Sequence, residues 1–145
     1  MREGVTWVGD ARYAPTSMTF DGLKREALRA LAEEGFGDGR VFDGRVIAVK
    51  TSPAKGNAKA IVVGSAALPA GYTTPPHSHA SEEVAVFLAG SGHVDIDGVV
   101  FPVEEGTVLV TPSDSVHATS ADDGGPLVVL WFYAPPGSEA RWLVD

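Results

Sequence analysis

From Arg40 onward the chain is cut by glycine, proline and Asp-Gly pairs into apolar runs too short for helices, and this constrains the fold more than any other feature. Strands are expected over 46–51, 59–68, 84–88, 107–111 and 127–133. Val94 and Ile96, then Asp97-Gly98, then residues 99–103 read as a hairpin, because Asp-Gly accepts the positive φ angles of a two-residue turn. Asp43-Gly44 likewise sits between two apolar runs. Short strands at this spacing describe an all-β sandwich or barrel. One helix is expected before them, about 21–34, capped by Asp21 and stopped at Gly35. Its stripe of Leu23, Ala27, Leu28 and Leu31 is expected to pack on the outside of a sheet. The chain therefore divides into an extension, 1–39, and a barrel, 40–145, within one domain.

Composition narrows the function classes. The 145 residues are 44% hydrophobic, enough for a core, and include no cysteine, which excludes disulfides, thiolate ligands and a thiol nucleophile. The net charge of −8, with no basic patch against it, argues against a nucleic-acid partner. No apolar stretch follows Met1-Arg2-Glu3-Gly4 and no run approaches a membrane span, so a cytoplasmic protein without a membrane partner is expected.

The chemistry is concentrated in two segments. His77 and His79 lie two residues apart, which on an extended strand puts both imidazoles on one face. Glu83 follows four residues later and can turn back onto that face, while His117 must come from another strand. Three imidazoles and a carboxylate suit a borderline divalent ion: iron, manganese, cobalt, nickel or zinc.

Residues Gly71 to Gly90 fit the pattern G-x(5)-H-x-H-x(3)-E-x(6)-G without a gap, and Gly106 to His117 fit most of G-x(5)-P-x-G-x(2)-H-x(3)-N. These two segments resemble the paired motifs of the cupin superfamily. Gly106, Pro112 and His117 are in place, whereas Asp114 stands at a usual glycine and Ala121 at a frequent asparagine. Aspartate tolerates left-handed backbone angles, so the turn at 114 is expected to survive. The resemblance implies a cupin jelly roll with one divalent metal ion, Fe(II) first among those named, held by His77, His79, Glu83 and His117. It favours Glu83 over Glu82, which alternation sends the other way and which reads as solvated. His93 fits no motif position and reads as a surface or barrel-wall residue.

Four protein ligands leave an octahedral ion two open positions, which suits a small-molecule substrate able to chelate it. The expected function is a metal-dependent enzyme, with an oxygenase or dioxygenase first. A non-redox isomerase, lyase or polyketide cyclase is the alternative, and a non-catalytic ligand-binding or sensor module the reading from another class. Glu83 is the expected proton acceptor. Tyr72, Phe87, Trp131 and Tyr133 are candidates for the pocket lining, although aromatic residues in a small barrel more often fill its core. In Trp131-Phe132-Tyr133, alternation separates Phe132 from its neighbours without saying which side faces in. A homodimer is expected, since open sheet edges need covering, and Trp7, Val8, Tyr13 and Phe20 are expected to dock on a neighbour or on their own barrel.

Overall fold

In the computed structural model, which describes residues 16–143, the short apolar runs form nine strands in two antiparallel sheets. They are β1 Gly39–Phe42, β2 Arg45–Thr51, β3 Val62–Leu68, β4 Glu82–Ala89, β5 Ser91–Ile96, β6 Val99–Glu104, β7 Val108–Thr111, β8 His117–Ala121 and β9 Leu127–Ala134. Six pair in the order β1-β2-β3-β9-β4-β7 and three in the order β6-β5-β8. The inward residues of both sheets share one core. Ile47, Leu68, Phe87 and Trp131 come from the larger sheet, and Val94, Ile96 and Val103 from the smaller. Each such large apolar side chain, fully buried, contributes roughly 1.5–3 kcal/mol. This is a mostly-β jelly roll with one N-terminal helix.

Both Asp-Gly pairs make the expected turns. Asp43 and Gly44 have φ of 52° and 88°, and Asp97 and Gly98 have 50° and 87°, the left-handed pair that a two-residue hairpin needs.

The helix, α1, spans Phe20–Glu33. Its N-cap is Thr19, not Asp21: the Thr19 hydroxyl accepts from the Gly22 amide at 2.9 Å. Asp21 instead sits in the first turn and pairs with Arg25 at 3.0 Å. The chain turns at Glu34, with φ of 57°, one residue before the expected Gly35. Ala27 packs against Ala67 of β3 and Val128 of β9, so the helix lies on the outer face of the larger sheet. Lys50 of β2 reinforces the contact by pairing with Glu26 at 3.0 Å and Asp38 at 2.6 Å. Phe20 remains largely exposed, while Trp7, Val8 and Tyr13 lie outside the described residues. No helix among the described residues is long and apolar enough to cross a membrane.

Two strand expectations need correction. β3 begins at Val62 rather than 59, because the Asn57 side chain ties residues 52–57 into a loop: its amide donates to the Lys50 carbonyl and its oxygen accepts from the Ser52 amide. β8 carries no alternating apolar signal. It exists because its backbone completes a ladder with β5, from Ile96↔His117 to Gly92↔Ala121.

Candidate metal centre

The histidine segment between β3 and β4 is extended but is not a regular strand. Pro75 and Pro76 have no amide hydrogen to donate and interrupt any ladder there. On either side of them the segment pairs with β8. Thr74 donates to the Thr119 carbonyl at 2.9 Å, and His77 and His117 exchange backbone hydrogen bonds at 3.0 and 2.8 Å. That exchange sets the His77 and His117 rings 4.2 Å apart. His79 is placed by the second motif, whose Asp114 amide donates to the His79 carbonyl at 2.8 Å. Asp114 has φ of 64°, so aspartate does make the left-handed turn where glycine is usual.

Each imidazole is pinned in the same way. Nδ1 lies 3.0 Å from the Pro75 carbonyl oxygen in His77, 2.9 Å from that of Ser81 in His79, and 2.9 Å from that of Ser115 in His117. A carbonyl oxygen only accepts, so each Nδ1 carries the proton and each Nε2 presents a lone pair. One ring nitrogen from each histidine lies within 4.8 Å of the other two. Glu83, at the start of β4, brings Oε1 to 3.2 Å from His79 Nε2 and 3.7 Å from His117 Nε2. His117 Nε2 is fully buried and has no hydrogen-bond partner. Lone pairs thus face a carboxylate oxygen in a desolvated place. A divalent cation among them would resolve that clash, and the nitrogen and oxygen donors are of the type such ions take. Burial pushes the His77 imidazole down to about 4, so near neutral pH this ring is uncharged and its lone pair is available. Glu82 is exposed, as its parity requires, and His93 is exposed on β5, apart from the cluster.

Beside the cluster is a cavity of about 60 Å³, room for a molecule of only a few heavy atoms. His77, Glu83 and His117 form one wall. Trp131 and Tyr133 line it as well, which settles the direction of β9: both are 4% exposed and inward, and the half-buried Phe132 faces out. Trp131 depends on Gly64 opposite it in β3, where a Cβ would lie 2.0 Å from the indole. The Tyr133 ring covers His79 at 4.7 Å. Burial first, then the negative charge of Glu83, raises the Tyr133 phenol above its usual range and keeps it protonated.

The other two aromatic candidates do not line the cavity. Phe87 does point inward but is 2% exposed within the core. Tyr72 stands beside the Asp43-Gly44 turn, with its hydroxyl bonded to Asp43 and Arg45. In their place are Arg45, Trp142, Thr74, Thr119 and the apolar side chains of Ile47 and Val129. Trp142 belongs to a short 3-10 helix, Ser138–Trp142, that folds back so that its indole meets Phe42 edge-on at 5.1 Å. Ser81 anchors that segment: its hydroxyl bonds the Pro135 carbonyl at 2.6 Å and Ser138 Oγ at 2.7 Å, while its own carbonyl holds His79. Only the inward parity of residue 45 could have pointed to Arg45. For Trp142 the signal in the sequence is that Ala134 to Glu139 followed by Trp142 resembles the closing segment of single-domain cupins, which often packs across a barrel mouth or onto a second subunit.

Comparison with known proteins agrees with this architecture. Residues 64–133 match the cupin domain family. A cupin protein of Bacteroides fragilis is 31% identical, over 56% of this chain and 70% of that one, with a TM-score of 0.51. The polyketide cyclase RemF of Streptomyces resistomycificus shares the fold at 21% identity, over 64% of this chain and 68% of that one, with a TM-score of 0.56. Among curated proteins, the dimethylsulfoniopropionate lyase DddW of Ruegeria pomeroyi is 38% identical over 65 residues, 45% of this chain. The match spans 43% of that lyase's length. With both histidine motifs folded into one cluster inside a two-sheet jelly roll, the chain belongs to the cupin superfamily.

Proposed function

We propose that this protein is a metal-dependent cupin enzyme of the lyase type, acting on a small organic substrate without dioxygen. The observation that carries the metal is the convergence of three Nε2 lone pairs and the Glu83 carboxylate beside a small cavity. The preference for elimination over oxygenation rests on the similarity to DddW, whose name gives dimethylsulfoniopropionate as its substrate. No feature of the site or of these relatives favours the oxygenase first expected from the sequence.

A divalent ion held by His77, His79, His117 and Glu83 would polarise a substrate oxygen and acidify the adjacent carbon–hydrogen bond. The protein's own residues then have distinct tasks. Glu83 turns Oε1 towards two histidines, while Oε2 has no hydrogen-bond partner among the described residues and is free to accept a proton. Tyr133 stays a neutral phenol and so keeps a proton to donate, which suits an oxygen that gains negative charge as the proton leaves. Trp131 and Ile47 give the cavity apolar wall beside the cluster. In an elimination the proton goes to the base and the departing group takes the bonding electrons, so no oxidant is required.

The test is to strip the protein, reload it with each divalent ion, and assay dimethylsulfoniopropionate and other β-substituted carboxylates with and without air. Elimination that depends on metal and ignores oxygen is the expected result. Turnover that consumes oxygen would replace the lyase by the oxygenase, and turnover in metal-free protein would remove the metal from catalysis.

A further inference from the structure

Arg45 is a cation on the inside of the barrel. It opens β2 and shares its face with Ile47 and Val49, both members of the core. It is only 8% exposed, and a buried guanidinium ordinarily sits against a carboxylate. Here none of the described carboxylates forms an ion pair with it. The nearby Asp43 turns its carboxylate to the Tyr72 hydroxyl instead. One nitrogen of the guanidinium, Nη1, is used by the protein, donating to the Phe42 carbonyl and the Tyr72 hydroxyl, each at 3.2 Å. The Trp142 ring, 5.4 Å from the guanidinium carbon, supports its flank. Among the described residues Nε and Nη2 bond no protein atom, and neither is among the sealed, unsatisfied atoms of the interior. The residue lines the same cavity as His77, Glu83 and His117.

We propose that Arg45 is the anchor for the carboxylate of a small substrate, gripping it through Nε and Nη2 in the cavity that it shares with His77, Glu83 and His117. A guanidinium offers two parallel N–H bonds that match the two oxygens of a carboxylate. Ile47, Ala66, Leu68 and Val129 add apolar wall to the same small cavity, so the fitting ligand is a short aliphatic carboxylate. The cavity of about 60 Å³ favours this over a bulkier organic phosphate. The inference deepens the lyase reading and rests on it for the word substrate, but anion binding can be measured without turnover.

The experiment titrates propionate, propionamide and inorganic phosphate into wild-type protein, Arg45→Gln and Arg45→Lys, each in metal-loaded and metal-free form. Wild type should prefer propionate to propionamide by roughly tenfold or more in both forms, since bonds to a charged partner are lost in the amide. Arg45→Gln should bind the two alike with unchanged metal content, and Arg45→Lys should recover part of the preference through charge without the fork. In an active preparation, Arg45→Gln should raise KM far more than it lowers kcat. Several results would overturn the proposal: equal binding of propionate and propionamide by wild type, a preference for phosphate, or a propionate preference that persists in Arg45→Gln. If that variant does not fold, Arg45→Lys with the full propionate affinity of wild type overturns it as well. Failure of elimination with Arg45-dependent propionate binding intact would sink the lyase alone. Elimination whose KM ignores Arg45→Gln would sink the anchor alone.

Discussion

The cavity has two walls built on different principles. The histidine wall is assembled from two short segments, and each ring is held by a carbonyl only two residues away in sequence. The wall of Arg45 and Trp142 joins the first residue of β2 to the 3-10 helix Ser138–Trp142. Its members are held by long-range contacts: Arg45 by Tyr72, 27 residues away, and Trp142 by Phe42. Local pinning makes a ligand set that tolerates drift elsewhere in the barrel. Remote packing makes a wall whose shape follows the closing segment, and under the proposed function this is where substrate choice would vary without disturbing the metal.

The largest expected effect separates the walls outright. His79→Ala should abolish stoichiometric metal, whereas Trp142→Ala should leave metal content intact while enlarging the cavity, as metal analysis and ligand titration would show. Loss of metal in Trp142→Ala would break the comparison, because the walls would then form one cooperative unit. A smaller effect is expected for Gly64→Ala. The new methyl group meets the Trp131 indole, so the variant should lose about 1–3 kcal/mol in chemical denaturation and shift its tryptophan fluorescence. Metal stoichiometry should persist, since none of the four proposed ligands lies on β3. Unchanged stability would mean that β3 and β9 separate easily at this pair.

The smallest effect concerns acid. His77 titrates at about 4 in the folded chain against an ordinary 6.5, so the unfolded chain binds more protons between those values. Stability of the metal-free protein should therefore be level with respect to this group above about pH 6.5 and fall as pH drops towards 4. His77→Gln should flatten that fall when denaturation midpoints are followed from pH 7 to 5. An identical pH slope in wild type and variant would show that His77 is not the group responsible.

What the amino-acid order determined by itself is local chemistry. Asp43-Gly44 and Asp97-Gly98 specify their turns because few residue pairs accept two positive φ angles. The candidate ligands His77, His79, Glu83 and His117 were recognisable because they stand at motif spacing within short segments, and even Asp114 kept its turn without glycine. What only the tertiary structure decided is everything that depends on which segments meet. β8, with little apolar pattern of its own, became a strand because β5 offered it a ladder. Period-two alternation states that Trp131 and Tyr133 share a face but not which face, and the pairing of β9 between β3 and β4 chose the inward one. Tyr72 and Phe87, close to the motif in sequence, were carried away from the cavity, while Arg45 and Trp142, far from it, were brought in. Proximity along the chain reports on hydrogen bonds that span a few residues; a cavity wall is a product of packing between strands that sequence distance does not encode.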